Sequence, residues 1–287
     1  MDASARVRAV VGRIAEWAPV VRARSILDAY GEAGGALIAA GLAYSALFAL
    51  LPAILLVVGL TGIVVHDPAS RTELVTALAR HIPPLHDLFD LALREVSNGA
   101  VQFSLLAVVG LVWGASRFYA ALDDAFARIF RDETPRGVLA RTLRGIVSVG
   151  ALMIAFLGAI ALTSVASFLE ESLVAGGGAG REASRLISPL LAAALFTLAI
   201  AVVYRFVPPR RPPWSTIALP ALVVGIALAA FTDLFVYIAP RLIGSLALYG
   251  AIAASFAALV WLSVGFQALL LGAAWIRERM RVRAAST

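Results

Sequence analysis

The side chains able to do chemistry in this chain are few and widely spaced. The histidines are His66, His81 and His86, and there is no cysteine. Spacings of fifteen and five fit no standard metal-ligand pattern, so a solvated loop is the plainer reading. Without Cys there is no disulfide, thiolate metal site or Cys nucleophile. Neither a Ser nucleophile elbow nor a phosphate-cradling glycine loop is present. No cofactor is expected, and no enzymatic activity. Charged groups in apolar stretches are the more informative ones, because lipid makes them costly and they often mark a function. Asp233 and Arg117 lie within or at the edge of such stretches, and Gln267 is a neutral third. Asp233 reads either as a structural or interfacial residue or as part of a pathway. Arg117, near the end of its stretch, can instead turn its guanidinium out to water.

Those positions need elements to hold them, and composition says which solvent they face. The 287 residues are 61% hydrophobic and 15% charged, with a mean hydropathy of +0.90. Soluble domains carry about 25% charged residues. Six apolar runs exceed the roughly 18 residues that a span needs: 35–65, 99–122, 145–169, 186–207, 214–238 and 246–276. In lipid such runs must be helices, since backbone groups find no water there. The expected fold is therefore all-α, a polytopic membrane protein of six transmembrane helices with amphipathic interfacial helices. Residues 1–34 form a cytoplasmic amphipathic segment, 35–276 the membrane domain, and 277–287 a basic tail. The first apolar run is too long for a signal core.

All 24 basic residues are Arg, and the net charge is +6. The N-terminal segment, the loops after spans two and four, and the tail hold 18 of them; the alternate loops hold 6. By the positive-inside rule both termini are cytoplasmic. This asymmetry accounts for the basic balance without nucleic acid. Val7, Val10, Val11, Ile14 and Trp17 recur at helical spacing among the N-terminal arginines, and Phe118, Leu122, Phe126, Ile129 and Phe130 do so after span two. The first reads as a helix lying on an anionic inner surface.

Two backbone features stand out. Pro52 lies inside the first run and frees the carbonyl of Phe48. Gly110 and Gly114 form a GxxxG, which permits close helix approach; packing within the chain is the plainer use, and a homo-oligomer the other.

The motifs resemble those of the YihY/BrkB family of bacterial inner-membrane proteins. Ala40 to Pro52 is similar to its first-span signature, and Trp113 to Phe130 to its second span and following helix. Tyr204-Arg205-Phe206-Val207-Pro208, Pro212-Pro213-Trp214 and Pro220-Ala221 are similar to the connection of spans four and five. Tyr249-Gly250-Ala251 and Leu271-Gly272-Ala273 are similar to its last-span motifs. The resemblance covers about residues 30–280 and implies six spans and an envelope role, with links to serum resistance and to lipid or lipopolysaccharide transport. Where the family often has Glu after the last Gly-Ala, this chain has Ala274, so no role for that carboxylate carries over. A ribonuclease label is also attached to the family; here every His is expected outside, away from cytoplasmic RNA.

The functional expectation is an inner-membrane transporter or flippase of a lipid or amphipathic envelope component. The alternatives are a non-transporting scaffold and a small-solute or ion carrier. The candidate pathway comprises Tyr44, Pro52, Arg117, Arg205, Asp233, Tyr249 and Gln267. Its expected partners are membrane lipids, with anionic headgroups at the cytoplasmic face.

Overall fold

The computed structural model describes residues 18–64, 100–131, 178–208, 211–243 and 250–285. These form α1 (Ala18–Glu32), α2 (Gly35–Val64), α3 (Ala100–Phe130), α4 (Gly178–Phe206), α5 (Trp214–Ile243) and α6 (Gly250–Ala285), with no strand among the described residues. Four helices contain segments long and apolar enough to cross a bilayer: Gly35–Leu55, Pro189–Phe206, Trp214–Ile238 and Ser255–Ala284. The second expected span lies within α3. The third, 145–169, lies outside the described residues, as do His66, His81, His86 and the helical pattern before residue 18.

Local chemistry sets the helix ends. α1 stops at Gly34, whose φ of +69° is the left-handed conformation that glycine accepts at a helix C-terminus. Its N–H donates to the Gly31 carbonyl at 2.9 Å. α3 ends at Arg131, also left-handed at φ 49°. The amphipathic stripe Phe118–Phe130, expected just after span two, continues the same helix. Likewise α6 runs without a break past residue 276 to Ala285. Nothing in the chain stops either helix, because no Gly or Pro falls at those points.

α2 pairs with α3, and α4 with α5; α6 packs on α2, α3 and α5, and on α1. Close contacts at three glycines seat the pairs. A Cβ on Gly114 would stand 2.9 Å from both the Phe48 carbonyl oxygen and Ala49 Cα, and one on Gly110 would stand 3.1 Å from Pro52 Cγ. The GxxxG face therefore packs within the chain, against the turn that Pro52 deprives of a donor. A Cα–H approaching that carbonyl is the group able to reach it. In the second pair, a Cβ on Gly225 would collide with Thr197.

The main core sits at one end, the end where the arginines gather. It draws Ala29 from α1, Leu42 from α2, Phe126 and Ile129 from α3, Tyr204 from α4, Ile217 from α5 and Leu270 from α6. A smaller cluster further along joins α2 (Ala43, Ala46, Leu47, Ile54) with α6 (Ala258, Leu262), and Phe118 of α3 packs against it. All the described helices converge at the arginine-rich end.

Candidate functional site

At the arginine-rich end the closure is built on Tyr204. The ring is fully buried, edge-on to Phe126 at 6.4 Å, and its hydroxyl donates to the Leu269 carbonyl at 2.7 Å. Gly272 makes the space: a Cβ there would run into the Tyr204 hydroxyl and stand 2.7 Å from Val224 Cγ2. Around this plug, Arg277 donates to the Ile129 carbonyl at 3.1 Å, meeting one of the carbonyls that α3 leaves unbonded at its end. Arg131 pairs with Glu32, tying α3 to α1. Arg283 reaches Ser215 Oγ at 2.8 Å and Thr216 Oγ1 at 3.0 Å, tying α6 to α5. Burial raises the Tyr30 hydroxyl above its ordinary pKa. Ala274, where a carboxylate would have been expected from the resemblance, is fully buried in the same core. A charge there would lie in apolar surroundings.

The pathway residues do not gather in one interior site. Tyr44 is exposed on α2, with its ring 4.6 Å from that of Phe48. Pro52 is half-buried against Gly110. Arg117 is exposed, with its guanidinium over the Trp113 ring at 5.7 Å. Arg205 donates to the Pro212 carbonyl at 2.9 Å and lies 5.8 Å over Trp214, so it braces the α4–α5 connection. Asp233 is exposed on α5. Arg241, a conceivable partner for it, instead donates to the Tyr237 carbonyl at 2.6 Å and stacks on that ring at 3.6 Å. Gln267 is half-buried and donates to Ser263 at 3.4 Å. Tyr249 lies outside the described residues. Among the described residues, no three His, Cys, Asp or Glu side chains group to hold a metal.

The packing register gives relative depths. Phe118 meets Phe266 and Arg277 meets Ile129, so α3 and α6 run parallel at one offset. Trp261 donates to Thr232 at 3.2 Å and Arg279 to the Ser215 carbonyl, so α5 and α6 run antiparallel. Projected on α6, Arg117 lies level with about residue 265 and Asp233 with about residue 260. At 1.5 Å per residue their depths differ by roughly 7 Å. Arg241 projects to about residue 252, Asp123 and Arg205 to about 270. Sequence distance along each run placed Arg117 at one mouth and Asp233 at the other; the register brings their levels close together, and the apolar segment Trp214–Ile238 of α5 ends a few residues beyond Asp233. Sequence reasoning missed Tyr204 as the plug, although its place in the quoted Tyr204-Arg205 motif was a signal. It also missed Gly272, whose Gly-Ala motif carried no visible reason for a glycine.

Comparison with known proteins completes the picture. The sequence profile of the family described as Virulence factor BrkB matches residues 26–287. A UPF0761 membrane protein of Rhodospirillum rubrum is 27% identical over 246 residues, covering 84% of this chain and 54% of its own length. One of Glaesserella parasuis is 23% identical over 190 residues, 66% of each chain. One of Janthinobacterium sp. is 29% identical over 184 residues, 63% of this chain and 41% of its own. The chain thus spans only about half the length of these curated relatives. No solved structure matches it. With a profile match over nearly the whole chain and a bundle of long apolar helices, the protein is an integral membrane protein of the BrkB virulence factor family.

Proposed function

We propose that the protein holds or moves a lipid or amphipathic envelope component along the outer face of its bundle, in the bacterial inner membrane, with both termini cytoplasmic. The observation that supports this reading is the exposure of Arg117 on α3 and Asp233 on α5, two charged groups at nearly one depth along long, largely apolar helices. An ionisable group in a span ordinarily faces a bundle interior or a water-filled cavity, and one left in hydrocarbon costs several kcal/mol. Exposed charges at that depth suit a headgroup sliding past the helices. The tight closure at the arginine-rich end is the arrangement expected of a bundle shut toward the cytoplasm. No hydrolytic step is part of this reading, and no nucleotide-hydrolysing module is assigned to this chain.

The test is reconstitution into liposomes carrying fluorescent lipids of anionic and zwitterionic headgroups. The protein should accelerate transfer between leaflets, and Arg117→Ala or Asp233→Asn should slow it at matched incorporation and thermal stability. Failure to accelerate any of these lipids would replace this reading with that of a non-transporting scaffold.

A further inference from the structure

We infer that Arg117 and Trp113 of α3, with Gly41 and Tyr44 of α2, form a groove that holds the phosphate-bearing headgroup of an anionic lipid inside the bilayer. The inference deepens the lipid-handling reading by naming its lipid class and its docking place. Its geometry stands apart from whether transfer occurs.

A Cα–Cβ bond in a helix tilts toward the helix N-terminus. α3 runs toward the arginine-rich end, so its side chains lean away from that end. Arg117 follows the rule: its guanidinium lies over Trp113, one turn nearer the bilayer centre. An arginine that turns out to water has its head at the nearer interface; this one is turned the other way. A bare charge turned back along a long apolar helix in this way is costly in lipid.

Something must compensate that charge. Among the described residues no carboxylate pairs with Arg117; Glu32 is taken by Arg131 and Glu278 by Arg281. Residues 145–169, the remaining expected span, contain no ionisable side chain. An anionic lipid headgroup fits, because the planar guanidinium matches phosphate with two parallel bonds.

The surroundings suit such a guest. With Gly114 against Ala49 and Gly110 against Pro52, Arg117 stands level with Ser45. At 100° per residue, Gly41, Tyr44 and Phe48 adjoin the side of α2 that faces α3, while Trp113 and Arg117 adjoin the side of α3 that faces α2. Gly41 has open space beside it, with nothing within 4 Å of where a Cβ would stand. Tyr44 is 58% exposed, and Val109 and Val112 continue the exposed surface of α3. The groove thus has a cation, two amphipathic rings, a recess at Gly41 and an apolar wall for acyl chains.

The test uses the full chain, purified and studied by native mass spectrometry and in nanodiscs, with phosphatidylglycerol and phosphatidylcholine as probes and glycerol 3-phosphate as a soluble arm. Wild type should retain phosphatidylglycerol over phosphatidylcholine and should ignore glycerol 3-phosphate. Arg117→Gln should weaken phosphatidylglycerol retention by about tenfold, the loss of one charge-assisted bond. Arg117→Lys should keep part of it, and Gly41→Leu should weaken it by filling the recess with every charge in place. Thermal stability of each variant checks folding. Unchanged selectivity in both Arg117→Gln and Gly41→Leu overturns the inference. So does equal competition by glycerol 3-phosphate. So does loss of self-association in both Arg117→Gln and Asp233→Asn with selectivity intact, which would assign Arg117 to a second copy of the chain. Retention lost in the variants without any lipid transfer by wild type removes the transport reading and leaves the groove; intact transfer with no Arg117-dependent retention does the reverse.

Discussion

Gly272→Ala is the most direct probe of the closure at the arginine-rich end. In a helix interior Ala is ordinarily better than Gly by about 1 kcal/mol, so propensity alone says the change stabilises. The structure says the opposite. The new methyl would overlap the Tyr204 hydroxyl and approach Val224 Cγ2 to 2.7 Å, in a core where Tyr204 is fully buried. Overpacking of this kind costs about 1–3 kcal/mol, and more where neither neighbour can yield. Tyr204 cannot yield cheaply, since moving it breaks its 2.7 Å bond to Leu269 and its edge contact with Phe126. The net expectation is a destabilisation of about 1–2 kcal/mol after the propensity gain. Tyr204→Phe alone should cost about 1 kcal/mol, the worth of a buried hydrogen bond. Its accepting carbonyl lies inside α6 and is not left bare. The double variant should be less destabilised than the two singles added together, because Phe removes the atom that the methyl strikes. Rescue should be partial, as Val224 and the ring carbon of residue 204 remain close. Thermal unfolding in one detergent, run as a double-mutant cycle, measures this coupling. A neutral or stabilising Gly272→Ala, or strictly additive singles, would refute the close packing of α4, α5 and α6 argued above.

Gly114→Leu should separate α2 from α3 and lower thermal stability by several kcal/mol, since its side chain would enter backbone at Ala49; survival of the variant at wild-type stability would refute that contact. Glu32→Gln should change stability by less than about 1 kcal/mol, because its pair with Arg131 is more than half exposed on both sides. Arg277→Gln should cost more than Glu32→Gln, measured in the same melts, through the uncapped carbonyl of Ile129. Reporter fusions at residue 177 should read periplasmic, and those at residues 135 and 287 cytoplasmic; a periplasmic signal at residue 287 would reverse the orientation drawn from the arginines.

Solvent class and helical content were legible in the residues because they follow from one-dimensional quantities. Long apolar runs with 15% charge have no stable form in water, and lipid leaves the backbone only helices. The motifs from Ala40 to Ala273 pointed in the same way to the family. The close approach at Gly110 and Gly114 could also be foreseen, since only a glycine lets two backbones meet. Relative level and facing could not. That Arg117 and Asp233 stand at nearly one level follows from which residues of α3, α5 and α6 lie beside one another. The tertiary arrangement also set the heading of Arg117, through the direction in which α3 runs. Tyr204 and Gly272 are 68 residues apart in the chain. Their mutual fit exists only once α4 and α6 are in contact.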